Sequence, residues 1–470
     1  MENGRFKSSC PVWSLKLVLV VIILFLAQGC KTTNQGLKTS SKARPNIILI
    51  SVDALRPDHL GCYGYKKHTS PNVDKFAKEG LLFKSCFSHA SETGPSCASF
   101  LSGFLPHETK VTRNTTRVHS SVPMLADILK QAGYRTCGIV SNYVLRKEQG
   151  FEQGFDVYDA QMDERELNRR NVCERIAEKT SECVISILSQ HSRENFFLWV
   201  HYQDPHGPYT PKPPYDNMFF DPNKEPVYLK FNASFSGRKG IPSYQRLQNN
   251  NDYHYYVSQY DGEICYFDEH FGRLVAFLKQ IHVYDNSLIV FTADHGESMG
   301  EHGCYFSHGH GLTNDLIHVP LIIRYKDMAQ GRRKGFVQHL DIVPTILKLV
   351  NIKERLPYRG KDLFVEQPDP TIIFSELKRQ NFSLISGKLK LLIYGNRAFL
   401  FDIQEDFFEN KSLTNHILYQ NHLYYMVSQV KENKNEDLLG LDTSTIDEKP
   451  RLTEEEKERL RSLGYIAVGQ

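Results

Sequence analysis

Three short segments of the sequence carry side chains suited to metal binding and ester chemistry. Asp53 follows the apolar run from Asn46 to Val52, where a carboxylate would be a buried, uncompensated charge unless it met a cation or a cluster of donors. The economical explanation is a metal ligand at the edge of a sheet, and the alternative is a helix cap. Asp294 and His295 add a carboxylate and an imidazole after a second apolar run.

Thr93 precedes Gly-Pro-Ser and a helical pattern, which predicts that its hydroxyl lies at a helix N-terminus. Donors and the helix dipole would stabilise a transferring anion there, and coordination to a divalent metal would lower the pKa of the hydroxyl. The alternative for such a threonine is an N-cap. Cys97 follows Pro95 and is interpreted as a buried, inert thiol.

Four histidines are further candidates for the site. His206 lies in a proline-bracketed loop after an apolar strand, a position that would turn its side chain into the site, although a lone histidine is more often structural. His302, His308 and His310 lie within nine residues of one another, which leaves open a second metal site.

Apolar runs alternating with helical stretches predict a doubly wound α/β sheet, mainly parallel, with helices on both faces. In such sheets the site gathers at the carboxyl ends of the strands, where Asp53, His206 and Asp294 fall. The strand candidates after the first apolar run are residues 136–140, 196–201, 287–292 and 319–324.

The predicted organisation has a catalytic domain at residues 44–370 and a small antiparallel α+β subdomain at residues 371–470. The patterns of residues 389–394 and 398–402 are typical of hairpin strands. The pattern of residues 447–464 predicts an exposed helix that closes the chain.

Residues 1–30 combine basic residues, an apolar run and Gly29-Cys30, the order of a bacterial lipoprotein signal with Cys30 as the lipidated residue. An uncleaved anchor and a plain secretory signal are the alternatives. Residues 31–43 are polar and predict a flexible tether. We therefore expect an exported protein of the cell envelope, anchored to a membrane and facing the periplasm or the outside.

The composition of the chain limits which kinds of partner it is expected to bind. The chain has 470 residues and a formal net charge of +3 from 57 basic and 54 acidic residues, which argues against nucleic acid as a partner. The ten cysteines show no CxxC pair, so a zinc knuckle is excluded, while one or two disulfides remain open.

Ordered motifs along the chain resemble the sulfatase family of the alkaline phosphatase superfamily. They are RPNIILISVDALRPDHLGCYG from Arg44, TSPNVDKFAKEG from Thr69, SETGPSCASFLSG from Ser91, HYQDPHGPY from His201, FTADHGESMGEHG from Phe291, GHGLTNDLIHVPLII from Gly309, HLDIVPTIL from His339 and LRSLGYI from Leu460.

The resemblance implies a sulfatase-like fold and one metal ion held by Asp53, Thr93, Asp294 and His295. It also implies that the catalytic residues are Thr93, His206 and His310, with His310 in the place of a sulfatase lysine that contacts the sulfate.

The sequence departs from the pattern of most sulfatases at several places, among them His295, which follows Asp294 where many sulfatases have an asparagine. Thr93 replaces the cysteine that is oxidised to formylglycine, Ala54 replaces a second aspartate, and residues 137–142 replace a GKWH-like segment. The set of ligands looks more like that of lipoteichoic-acid synthases and phosphoethanolamine transferases. The imidazole of His295 favours manganese or zinc as the metal ion, and calcium is kept as an alternative.

These features predict a metal-dependent hydrolase or transferase that acts on sulfate or phosphate esters through Thr93. Its substrate would be a small molecule, a glycan or a lipid ester. The alternative is a catalytically silent envelope protein that binds anionic glycans.

Overall fold

A computed structural model describes Met1 and residues 44–165, 173–191, 194–234, 236–365 and 372–435. Internal contacts divide the chain after Arg44, and the described residues from Pro45 onward form one compact unit. The expected lipoprotein signal with Cys30, the tether and the closing helix lie outside the described residues. Among the helices that are described, none has the length and apolar character needed to cross a membrane.

Sixteen strands are present in the described residues. They are β1 (Asn46–Val52), β2 (Leu81–Phe87), β3 (Arg135–Val140), β4 (Val157–Asp159), β5 (Glu164–Arg165), β6 (Cys173–Glu174), β7 (Phe196–Tyr202), β8 (Ser287–Ala293), β9 (Ser298–Met299), β10 (Tyr305–Ser307), β11 (His318–Arg324), β12 (Gly331–Gln338), β13 (Ile372–Leu377), β14 (Asn381–Ser386), β15 (Leu389–Tyr394) and β16 (Arg397–Asp402).

The same residues contain ten α-helices. They are α1 (Pro71–Lys78), α2 (Thr93–Ser102), α3 (Pro106–Thr109), α4 (Leu125–Gln131), α5 (Ala177–His191), α6 (Tyr215–Met218), α7 (Tyr253–Gln280), α8 (Asn314–Ile317), α9 (Ile342–Leu349) and α10 (Gln420–Asn435).

Eight strands form the central sheet in the order β12-β2-β11-β8-β1-β7-β3-β4. All neighbouring pairs are parallel except those of β11, which runs antiparallel to both β8 and β2. Helices α1 and α5 both pack against α7, and helices α3 and α9 both pack against α2. The predicted α/β fold with a mainly parallel sheet is therefore confirmed.

The central strands are apolar because both faces of the sheet are covered. Every residue of β1, β7 and β8 is buried, as expected for parallel strands between helical layers. Trp199 of β7 is fully buried and contacts the rings of Phe100 and Phe155. This packing fixes the strand ends that carry the functional side chains.

A second sheet follows near the C-terminus, with β13 to β16 paired antiparallel in chain order. Both of its faces are covered. One face joins Phe374 and Leu384 to Met426 of α10 in an apolar cluster. The other joins Ile373 to Leu316 of α8. The predicted antiparallel hairpins are confirmed.

Eight cysteines lie in the described residues, and all eight are free thiols. Cys97 is fully buried in α2. Burial raises the pKa of its thiol well above the ordinary value, and the neighbouring carboxylates of Asp294 and Asp53 raise it further. The thiol therefore stays protonated, which agrees with the prediction of an inert cysteine.

Candidate active site

The register of the central sheet brings two carboxylates together. Val52 at the end of β1 pairs with Ala293 at the end of β8, so that the next residues, Asp53 and Asp294, lie side by side. Both side chains are fully buried. The strand-end placement that the sequence predicts for these aspartates is therefore what the structure has.

The carboxylate of Asp53 is held on one side only. Its Oδ2 accepts a hydrogen bond from Asn142 Nδ2 at 2.5 Å and lies 3.3 Å from His201 Nε2. Its Oδ1 has no partner at hydrogen-bonding distance within the described part of the chain. Burial raises the pKa of Asp53 to about 7, although the nearby imidazole of His295 opposes this shift.

Asp294 is arranged in the same one-sided way. Its Oδ1 accepts hydrogen bonds from the backbone amides of Ala54 at 3.1 Å and His295 at 2.8 Å. Its Oδ2 is buried and has no hydrogen-bond partner among the described residues. Burial and then the charge of Asp53 raise the pKa of Asp294. Two unsatisfied carboxylate oxygens therefore share one buried site.

The ring of His295 lies between these oxygens. Its Nδ1 is 2.8 Å from the carbonyl oxygen of Gly296, and because a carbonyl only accepts, Nδ1 must carry the proton. The other ring nitrogen, Nε2, then presents a lone pair. It lies 3.5 Å from Asp294 Oδ2 and 3.7 Å from Asp53 Oδ1. A histidine oriented in this way by a backbone carbonyl is typical of a metal ligand.

Thr93 completes the cluster. It is the first residue of α2, is fully buried, and its hydroxyl lies 3.3 Å from His295 Nε2. The backbone amide of Gly94 donates to Asn114 Oδ1 at 2.7 Å, Pro95 has no amide hydrogen, and the amide of Ser96 donates to the carbonyl of Glu92. The helix N-terminus therefore lacks the free amides at these positions that the sequence predicts for anion binding.

Two residues of the cluster are missed by the sequence prediction. His201 is the sixth residue of β7, next to β1, and its Nδ1 lies 2.8 Å from the hydroxyl of Ser51. Burial lowers the pKa of His201 to about 4, so that its ring is neutral. Asn142 comes shortly after β3, the next strand in the sheet. The strand-end rule that selects Asp53 could have found Asn142 as well.

His308 and His206 adjoin the cluster as a row of rings. The ring of His308 lies 4.4 Å from that of His295 and 5.1 Å from that of His206, measured between centroids. Both His206 and His308 are buried side chains, and burial lowers the pKa of His308 to about 4. Its Nδ1 lies 3.4 Å from Glu297, whose pKa burial raises to about 8.

His310 lies elsewhere in the same loop. Its Nε2 is 3.3 Å from the hydroxyl of Ser298, and it lines a cavity of about 480 Å³ together with His302. The structure thus places His308 beside His295 and His206 beside His308, while His310 and His302 line the neighbouring cavity. The sequence spacing of His302, His308 and His310 does not reveal that His308 lies apart from the other two.

The residues present fit a divalent metal ion. Two buried carboxylate oxygens have no hydrogen-bond partner in the described ranges, and an imidazole nitrogen whose lone pair faces the site lies near both of them. Ligand atoms of Asp53, His201 and Asp294 also lie within 4.8 Å of one another. A cation would compensate carboxylates whose raised pKa values reflect burial without sufficient positive charge.

The mixed sheet and the cluster at its strand ends define a class, the alkaline phosphatase superfamily. A sulfatase profile matches residues 45–352. The chain therefore belongs to the sulfatase family.

Individual relatives agree with this assignment. The chain is 24% identical over 447 residues to an N-acetylglucosamine-6-O-sulfatase of Bacteroides thetaiotaomicron, which covers 76% of this chain and 78% of the relative. The phosphonate monoester hydrolase of Agrobacterium radiobacter has a similar structure, with a TM-score of 0.69, 21% identity, and coverage of 83% of this chain and 95% of the other.

A solved complex with the substrate D-glucosamine-2-N,6-O-disulfate also gives a TM-score of 0.69, with 20% identity and coverage of 85% of this chain and 100% of the other. By their names, the relatives hydrolyse sulfate esters and phosphonate monoesters.

Proposed function

We propose that this protein is a metal-dependent hydrolase of sulfate, phosphate or phosphonate esters that uses Thr93 as its nucleophile. The observation that carries the proposal is the convergence of the Thr93 hydroxyl, Asp53 Oδ1 and Asp294 Oδ2 around His295 Nε2, at 3.3 to 3.7 Å. The named activities of the relatives supply the ester class.

Asp53, Asp294, His295 and the hydroxyl of Thr93 would hold one divalent ion. When bound, the ion would lower the pKa of the hydroxyl and offset negative charge that develops on the ester oxygens. The imidazole ligand favours zinc or manganese. Asn142 and His201 hold the outer oxygen of Asp53, and two backbone amides hold that of Asp294, so that the inner oxygens stay directed at the site.

Thr93 would attack the sulfur or phosphorus in line with the leaving alcohol. A bond forms between the threonine oxygen and that atom while the bond to the alcohol oxygen breaks, and the proton of the hydroxyl ends on the leaving alcohol. Water then attacks the threonyl ester, which returns the hydroxyl and releases the sulfate, phosphate or phosphonate product. A transferase would use an acceptor alcohol in place of water.

His206 and His308 would serve the leaving side. His308 adjoins His295, and His206 adjoins His308, in a row of buried rings that leads away from the cluster. His308 is held by Glu297 at 3.4 Å. We keep His310 as a residue that contacts the rest of the substrate, since it faces the neighbouring cavity.

A threonyl ester gives this protein a preference among substrates. The hydrate of a formylglycine has a second hydroxyl through which it expels sulfate, whereas a threonyl sulfate must wait for attack by water. Phosphorus is more open to that attack, so we expect phosphate and phosphonate esters to react faster than sulfate esters.

The purified chain should be assayed against paired aryl sulfate, phosphate monoester, phosphodiester and phosphonate substrates, each with zinc, manganese or calcium. We expect turnover that depends on added metal and is fastest on a phosphorus ester. A sulfatase rate well above all the others would overturn the preference. Binding of anionic glycans without turnover of any ester would favour the silent binding protein.

The cellular location is part of the proposal. The order of basic residues, apolar run and Cys30 supports export followed by lipidation at Cys30. Mass spectrometry of the mature chain tests this directly, and an intact peptide from Met1 to Gln28 would rule out cleavage.

A further inference from the structure

A second cluster of carboxylates and histidine lies at the cavity of about 480 Å³ that His302 lines. Ligand atoms of His302, Asp315 and Glu409 all lie within 4.8 Å of one another. We propose that these three side chains form a second divalent cation site, which shares no ligand with the cluster around Thr93. This inference does not rest on the proposed function.

The three residues come from different parts of the chain. His302 lies in the turn between β9 and β10, Asp315 is the second residue of α8, and Glu409 follows the C-terminal sheet. Ligands about 2.1 Å from a shared ion lie up to roughly 4.2 Å apart, so side-chain shifts of a few tenths of an ångström complete the coordination.

Asp315 supplies the observation that points to a ligand. It is only 4% exposed, and its Oδ1 is buried without a hydrogen-bond partner within the described part of the chain. Its Oδ2 accepts a hydrogen bond from the hydroxyl of Ser298. A buried carboxylate oxygen with no donor is costly, and a bound cation removes that cost.

Glu409 is held in place by its neighbours. Lys390 Nζ lies 2.6 Å from its Oε1, and the backbone amide of Asn314 donates to its Oε2 at 2.8 Å. Each carboxylate oxygen keeps a second lone pair for a metal. Hydrogen bonds of this kind commonly fix carboxylates that bind metals, and the hydroxyl of Ser298 fixes Asp315 in the same way.

The charges at this cluster also favour a cation. Lys390 is paired with Glu409, whereas no ion pair of Asp315 is present among the described residues. One imidazole nitrogen and two carboxylate oxygens form a ligand set suited to zinc or manganese. His302 is exposed and lines the cavity, which gives the ion a path from solvent and leaves room for water as a further ligand.

The test is a count of bound metal on the full chain, first stripped with a chelator and then titrated separately with Zn²⁺ and Mn²⁺. Calorimetry gives the stoichiometry, and elemental analysis after gel filtration checks it. We expect two equivalents in the unmodified chain, one in His302→Ala, one in Asp294→Ala and none in the double variant.

His282→Ala is the matched control. His282 is exposed and has a left-handed backbone, with φ of 59° against 54° for His302, and it belongs to no metal-ligand group in the described residues. It should keep both equivalents. Equal metal content in His302→Ala and His282→Ala would overturn the proposal.

Failure of the two metal assignments can be told apart. If the chain binds one equivalent that His302→Ala loses and Asp294→Ala keeps, the second site stands and the metal role of Asp294 fails. If only Asp294→Ala loses metal, the metal role of Asp294 stands and the second site fails. Because His302 lies at the surface, its substitution leaves the folded core intact.

Discussion

The cluster around Thr93 and the cluster around Asp315 have similar side chains but are built differently. The first takes Asp53, Asp294 and His201 from the ends of three adjacent strands of the central sheet. The second joins His302, Asp315 and Glu409 from a turn, a short helix and a loop beyond the C-terminal sheet. Parallel strands bring their ends together by topology, whereas the second cluster depends on how the C-terminal sheet packs.

The largest expected effect is at the nucleophile. Thr93→Ala should lower kcat by several powers of ten, because it removes the covalent pathway, while Thr93→Ser should keep measurable turnover. The measurement is steady-state kinetics on the best ester substrate with saturating metal. Cys97→Ala, in the same helix, should change turnover little. Loss of turnover in Cys97→Ala with full activity in Thr93→Ala would move the chemistry away from the strand-end cluster.

A smaller effect is expected at His201, which positions Asp53 from the neighbouring strand at 3.3 Å. His201→Gln should weaken metal binding by about 10- to 100-fold, the range for residues that support ligands. Added metal should restore most of the activity. Affinity is measured by competition with a chelator. An unchanged affinity would show that the third strand contributes nothing to the site and would weaken the contrast between the clusters.

An effect on stability, separate from catalysis, is expected at His89, which links the central sheet to the C-terminal sheet. Its Nδ1 donates to the carbonyl of Phe374 at 2.6 Å, and burial lowers its pKa to about 4. Between about pH 6.5 and about pH 4 the unfolded chain therefore binds the proton more tightly, and stability falls as the pH falls. The His89 contribution over that window is about 3 kcal/mol.

Urea unfolding across that window measures this contribution. His89→Gln should show a shallower loss of stability toward acid than the unmodified chain, and the exposed variant His68→Gln should match the unmodified slope. Equal slopes in all three proteins would mean that the junction between the two sheets is not sensitive to protons at His89.

The strand-end part of the molecule is the part that sequence predicts well. Apolar runs mark β1, β7 and β8, and the polar residues that follow β1 and β8 are Asp53 and Asp294, side by side as expected. The α/β sheet and the antiparallel hairpins follow from hydrophobic periodicity and turn residues.

Contacts made across long stretches of sequence are harder to predict. His201 lies inside an apolar strand, where a histidine is ordinarily a core residue, and only the register with Ser51 shows its place beside Asp53. The separation of His308 from His310 depends on the fold of one loop. Glu409 reaches Asp315 only through tertiary packing, which no local pattern encodes.

The eight free cysteines of the described residues have a practical consequence. None of the eight is joined in a disulfide, and Cys62, Cys86 and Cys97 are buried. Burial raises the pKa of these three thiols, so that alkylating reagents meet almost no thiolate at these positions in the folded protein. The rate of thiol labelling at each of these cysteines therefore measures how often the core around it opens.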